Sequence, residues 1–201
     1  MSFEKLMKEK DTQFEAMQIR YKEMTKKSFG NDDERLWYPG ADKAGNGSAV
    51  IRFLPHKETG GVPWVQEFKH SFKGPTGTWL IETCPTTLKK KCPICEENTK
   101  LWNSGYERDK GTASAQKRKV YYYSNIYVMN DPGNPENNNK TMIFRYGQKI
   151  FEKLNALSFP EFEDQKPINP FHFMHGATFR LRFKKGANGF RSYDHSDFDA
   201  T

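Results

Sequence analysis

The sequence predicts an α+β fold that is mainly β, and three observations predict it. Short stretches of alternating apolar and polar residues recur from Leu36 onward, the period-two signature of half-buried strands. Residues from about 66 to 119 interrupt that series and hold every cysteine of the chain, as an inserted subdomain would. The opening residues instead follow helical spacing, with Phe3, Met7, Phe14, Met17, Tyr21 and Met24 in a near-heptad stripe broken by Lys10.

Taken in order, residues 2–27 read as one amphipathic helix, ended by Asn31, Asp32 and Asp33 after Phe29-Gly30. Its stripe has to be buried on its own domain or on a neighbouring molecule. Residues 1–35 are therefore expected as a helical arm and 36–201 as the core domain. Strands are predicted at Ala49–Leu54 after the turn AGNGS, at Trp64–Phe68, at Thr78–Glu82 and at Val120–Met129. The polar loop DPGNPENNNK leads from the last of these into Thr141–Tyr146, as in a hairpin. A short helix at Gly147–Ser158 presents Ile150, Phe151, Leu154 and Leu157 on one face, and Pro160–Pro170 is a connector. Ala177–Lys184 alternates cleanly and turns at GANG into Phe190–Tyr193. Five or six strands with one late helix fit a five-stranded Greek-key barrel of the OB type.

Composition narrows the function classes. The chain has 201 residues, 28% of them charged, and a mean hydropathy of −0.90. Its aromatic content is nevertheless 14%, so rings either fill a lean core or stand where something flat stacks on them. Residues 1–35 carry eight basic and eight acidic residues, leaving 24 and 17 in residues 36–201. The whole net charge of +7 thus belongs to the core domain, which permits a polyanionic partner. No run of about 18 apolar residues offers a membrane span. The charged N-terminus MSFEKLMKEKDTQFEAM has no apolar signal region, so an intracellular protein with no membrane partner is expected.

Three cysteines in such a compartment point to a metal or a reactive thiol rather than a disulfide framework. Cys92-Pro-Ile-Cys95 is a C-x2-C turn that presents two thiolates from one loop. Cys84 and His70 supply a third sulfur and a nitrogen, which suits one structural Zn2+ with all four positions filled by protein. His56 is the reserve ligand. A redox dithiol would need a βαβ context and leave Cys84 unexplained, an iron–sulfur cluster would want a fourth cysteine, and three unrelated buried cysteines remain the plain alternative. The EENTKLW stretch after Cys95 reads as the helix that follows a zinc knuckle.

The second signal is QKRKVYYYSNIYV, where Lys117, Arg118 and Lys119 run into a predicted strand. Period two puts Tyr121, Tyr123 and Tyr127 on one face and Val120, Tyr122, Ile126 and Val128 on the other. Cations hold phosphates, and ring faces stack on bases that are not already stacked in a duplex. Arg180, Arg182 and Lys184 alternate with Phe179, Leu181 and Phe183, and Phe144-Arg145-Tyr146, Phe190-Arg191 and Tyr193 repeat the theme. Arg52, inside AVIRFL, joins the candidate cations. The chain has no helix-turn-helix, basic helix or paired-histidine finger for a major groove, so unpaired strands fit better than duplex. The competing readings are a zinc-ribbon RNA-binding or transcription accessory module, and a metal-dependent nuclease using Asp194, His195, Asp197 and Asp199.

In AGNGSAVIRFLP at 44–55, His70, WLIETC ending at Cys84, CPIC at 92–95, KRKVYYYSNIYVMNDPGNPEN from 117, FRYGQKIFEKLNAL from 144 and GFRSYD from 189, the chain resembles the helix-destabilising, single-stranded DNA-binding proteins of T-even-type bacteriophages. The resemblance implies an OB-type core and a zinc subdomain that together form a basic DNA cleft. It implies no catalysis, but coating and protection of single strands and removal of hairpins in phage DNA replication, recombination and repair, in the cytoplasm of the infected bacterium. His70, Cys84, Cys92 and Cys95 fall on that family's zinc ligands. Trp79, Tyr106, Tyr122, Tyr123, Phe144, Phe190 and Tyr193 fall on its cleft aromatics, and Lys117, Arg118 and Lys119 on its basic cluster. Self-association along DNA through the N-terminal arm and contacts with phage replication and recombination proteins are the partners implied. The sequence departs from the family in lacking its basic N-terminal motif, in having Lys89 and Ala113 at two cleft aromatic positions, and in showing no long acidic tail after DHSDFDAT. The resemblance favours Tyr122 on the DNA side, whereas periodicity favours Tyr121.

Overall fold

A computed structural model describes residues 17–18, 33–162, 164–186 and 189–199. The N-terminal helix predicted for residues 2–27 lies almost wholly outside them. The chain divides into two compact units, Met1–Glu34 and Arg35–Thr201, and nearly all of the described residues belong to the second.

That unit is mainly β. Its strands are β1 (Leu36–Trp37), β2 (Gly47–Phe53), β3 (Val65–Lys73), β4 (Trp79–Thr83), β5 (Lys119–Asn130), β6 (Thr141–Tyr146), β7 (Thr178–Lys185), β8 (Arg191–Ser192) and β9 (Asp197–Phe198). Three α-helices are described in it: α1 (Pro93–Asn103), α2 (Glu107–Gln116) and α3 (Gln148–Ser158). The sheet runs β1-β6-β5-β2-β7-β8. β3 pairs with the first half of β5 and carries β4 on its far edge, while β9 pairs with β7. β5 is the hub, because its twelve residues are long enough to hold β6 along one edge and β3 then β2 along the other. The expected closed barrel is not what this order shows: among the described residues no pairing joins β8 back to β1, so the sheet is open.

The inner face follows the alternation read from the sequence. Ile51 and Phe53 of β2, Tyr122, Ile126 and Val128 of β5, Phe144 and Tyr146 of β6, and Phe179, Leu181 and Phe183 of β7 are all buried. α3 closes over them with Ile150 and Leu154, two positions one helical turn apart. Eight of the fifteen buried members of this core are aromatic, so much of the aromatic content is structural.

The loop between β5 and β6 is more than a polar connector. Asp131 is fully buried; its carboxylate accepts from the Trp37 indole at 2.9 Å and from the backbone N–H groups of Gly40, Gly133 and Asn134. Gly40 and Gly133 meet backbone to backbone, and a Cβ on Gly40 would lie 2.4 Å from Gly133 Cα. Only glycine fits there. This clasp fixes the segment before β2 against the end of β5.

Candidate metal centre and nucleic-acid interface

Four side chains converge beside the β3–β4 hairpin. His70 comes from β3 and Cys84 follows β4, where the Cys84 N–H donates to Phe68 O at 2.7 Å. Cys92 is the N-cap of α1 and Cys95 lies in its first turn, with Pro93 at N1. A helix N-terminus favours thiolates through its unpaired N–H groups. The ligand atoms all lie within 4.8 Å of one another. His70 Nε2 is 3.5 Å from the sulfurs of both Cys92 and Cys95, and Cys84 Sγ is 3.6 Å from Cys95 Sγ. Tetrahedral Zn–S and Zn–N bonds would set such edges at about 3.5–3.8 Å.

The surroundings fit the same ion. His70 is buried, and its Nδ1 sits 2.9 Å from the Gln116 carbonyl. Nδ1 can only donate to a carbonyl, so the Nε2 lone pair is left facing the sulfurs. Burial pushes the Cys84 thiol up, but hydrogen bonds from Thr86 and from the other two cysteines outweigh it and hold Cys84 down at about 6. Burial and the neighbouring sulfurs of Cys84 and Cys92 push Cys95 up to about 12. Three thiols so close cannot all ionise without a cation among them. Among the described residues these four form the one cluster of His, Cys, Asp or Glu able to hold a metal. The reserve ligand His56 lies elsewhere, with Nδ1 accepting from the Glu58 N–H at 3.0 Å.

The outer face of the sheet carries cations and rings in register. Residues opposite one another on antiparallel strands point to the same side. Tyr123 lies opposite Arg145 on β6, Tyr121 opposite Glu67 on β3, Lys69 opposite Lys119, and Lys73 opposite Trp79. Lys119, Tyr121 and Tyr123 of β5 therefore share a face with Trp79, Lys73, Lys69 and Arg145. The Arg145 guanidinium stands 5.2 Å from the Tyr121 ring centre, Lys73 Nζ 5.8 Å from that of Trp79, and Lys119 Nζ 6.0 Å from that of Phe190. Trp79 is 57% exposed, Phe190 70% and Tyr106 72%. One carboxylate interrupts the face. Glu67 accepts from Thr83 Oγ1 and the Tyr123 hydroxyl, each at 2.6 Å, with Lys69 Nζ at 3.4 Å. Burial and the Glu67 contact push Tyr123 up to about 12, so its hydroxyl stays a donor.

Other expected site residues sit differently. Tyr122, Phe144 and Tyr146 are 4%, 2% and 3% exposed, which places them in the core and not on the open face expected of them. Tyr122 stacks on Phe151 at 3.9 Å between ring centres and on Tyr146 at 5.9 Å, while its hydroxyl bridges Gln66 and Gln148. Such a ring has no free face for a base. The β5 register with β6 runs unbroken through this point, so no bulge turns Tyr122 outward. Arg52 reaches the carbonyls of His172 and Phe173, each at 3.3 Å. Arg191 lies over Phe183 and donates to Pro39 O, and Tyr193 packs against Phe183. Lys117, Arg118 and Lys119 are all exposed; Arg118 lies 4.2 Å over Phe68 and donates to Thr86 Oγ1 at 2.5 Å. The carboxylates of the nuclease alternative are not brought together: Asp194 pairs with Lys149 and Asp199 with Arg180.

Residues 45–200 match the family described as "gp32 DNA binding protein like". The chain belongs to that family. It is 39% identical over 175 residues to the single-stranded DNA-binding protein of Enterobacteria phage T4, an overlap covering 86% of this chain and 57% of that protein. It is 37% identical over 196 residues to the protein of the same description from Enterobacteria phage T2, covering 96% of this chain and 64% of that one. A 120-residue overlap with the corresponding Enterobacteria phage RB70 sequence is 36% identical and covers all of it. The chain thus spans about three-fifths of the length of the T4 and T2 proteins.

Proposed function

We propose that this chain binds single-stranded DNA without reading its sequence, acting as a coat in phage DNA replication, recombination and repair within the infected bacterial cytoplasm. The observation that carries this is the outer face of the sheet. Tyr121 and Tyr123 alternate along β5 with Lys119 ahead of them, Arg145 sits across the ladder, and Trp79 with Lys73 extends the row onto β4. Rings two residues apart on one strand can stack on successive unpaired bases while the cations between them hold phosphates. Family membership supports the same reading. The DNA-contacting set is then Trp79, Tyr106, Lys117, Lys119, Tyr121, Tyr123, Arg145 and Phe190. Tyr122, Phe144 and Tyr146 brace it from beneath.

In this reading the sheet is an OB-type platform and residues 66–119 are an inserted zinc module. His70, Cys84, Cys92 and Cys95 would hold one Zn2+, which would cross-link β3, the turn after β4 and α1. With four protein ligands no position is left for a reacting water. We therefore read the chain as a binding protein, not an enzyme. Self-association along the strand through residues 1–35, and contacts with phage replication and recombination proteins, belong to the same proposal. No helix among the described residues is long and apolar enough to cross a membrane.

The test is a fluorescence titration of single-stranded oligomers of differing sequence. Similar affinities for unrelated sequences, with labelled strands recovered intact after incubation with Mg2+, are expected. Preference for matched RNA would favour the RNA-binding alternative, and cleavage would favour the nuclease.

A further inference from the structure

Outside the sheet face, the zinc-module helices form a cleft of about 450 Å³ between α1 and the C-terminal end of α2. Asn98 and Trp102 line it from α1, Ala113 and Ser114 from α2, and Lys117 and Arg118 from the neck that leads into β5. Trp102 is 56% exposed. Trp37 is buried in the core and Trp64 packs against it, but the Trp102 indole is left largely in water. Ala113 is buried and small, so the opposite wall is low and leaves room beside the ring. Arg118 is held by Phe68 and Thr86. Lys117 is exposed and has no ion-pair partner among the described residues. The neck continues without a break into Lys119 and Tyr121. At about 3.3 Å per extended residue, Lys117 and Tyr121 are roughly 13 Å apart, near enough for one strand of nucleic acid to meet both.

We propose that this cleft is a second nucleobase subsite, with Trp102 as its stacking ring and Lys117 as its phosphate contact. Its ligand is an unpaired nucleotide of the same strand that crosses the sheet face. The inference rests on the single-stranded DNA reading and extends the path onto α1. An indole over a narrow cleft beside a free ammonium suits a flat base attached to a phosphate. A folded protein partner would be expected to cover more apolar surface than one ring. Recognition by ring face and charge alone carries no sequence preference, in keeping with a coat.

The experiment titrates the zinc-loaded 201-residue chain, as wild type, Trp102→Ala and Trp102→Phe, with dT oligomers of increasing length. For oligomers long enough to reach α1, Trp102→Ala is expected to weaken binding about five- to a hundredfold, and Trp102→Phe to stay within about threefold of wild type. The shortest oligomers that wild type binds should not distinguish the three. Equal zinc content and melting temperature show that the variants fold. Identical affinities for wild type and Trp102→Ala at every length would overturn the subsite while leaving the sheet-face reading intact. Equal weakening by Phe and Ala would overturn stacking. Failure of wild type to bind any oligomer would remove the parent reading, and this one with it.

Discussion

Tyr122 and Tyr123 are neighbours in sequence with opposite duties. Tyr122 is sandwiched between Phe151 and Tyr146, whereas Tyr123 stands opposite Arg145 and donates to Glu67. Tyr123→Ala is expected to weaken single-stranded DNA binding by about 1–3 kcal/mol, with a stability loss confined to its bond to Glu67. Tyr122→Ala should destabilise the fold by about 3–5 kcal/mol, read in chemical denaturation. The reverse pattern would place the DNA on the other face. Strict period two along β5 told these residues apart, while family likeness pointed to Tyr122, because a likeness transfers positions and not side-chain directions. Phe144 and Tyr146 went the same way: the cation between them faces out and both rings face in. Glu67 was invisible in the sequence, since a lone acid in a strand gives no sign of the tyrosine and threonine that will bind it. Burial raises the Glu67 pKa, but hydrogen bonds from Thr83 and Tyr123 and the charge of Lys69 outweigh it, so the net direction is down. A lowered carboxyl pKa stabilises the fold above the ordinary value of about 4.5 and loses that contribution as pH falls through the lowered value. Glu67→Gln should flatten the acid limb of the stability profile; an unchanged limb would show that the network carries no weight.

At the scale of elements, the hairpin β3–β4, the turn after it and α1 meet at one cluster, His70, Cys84, Cys92 and Cys95. Without a metal among them, three thiols and an imidazole would face one another in a buried site, with His70 already fixed by Gln116. Chelation is therefore expected to lower the melting temperature and to loosen α1 and α2 ahead of the sheet, read by calorimetry and amide exchange. Unchanged melting would show that the cluster cross-links nothing. The Cys-x2-Cys spacing announced this centre because both ligands lie in one loop and one helical turn. α2 was missed for the opposite reason: ERDKGTASAQ buries a single residue, Ala113, and holds Gly111, so it has no apolar stripe to detect. β1 and β9 are two residues each, too short for any period. The loop after β5 looked polar throughout, and nothing local marked Asp131 as buried, because its partners Trp37 and Gly40 lie about ninety residues away in sequence.

For the whole molecule, the strand series and the charge distribution were legible, and closure was not. Counting strands reveals neither which edges meet nor that β5 would hold three partners. The net +7 falls entirely in residues 36–201, where the sheet face and the cysteine–histidine cluster lie. A face that neutralises phosphates with lysine and arginine has to release counterions, whereas stacking on Tyr121 and Tyr123 does not. The most direct measurement is the affinity of wild type and Tyr123→Ala for a dT oligomer at salt concentrations from about 50 to 400 mM. Affinity should fall in both with a log–log slope of about −0.7 per phosphate neutralised, the two lines running parallel and the variant weaker throughout. Coincident lines, or affinity independent of salt, would contradict a strand held jointly by rings and cations.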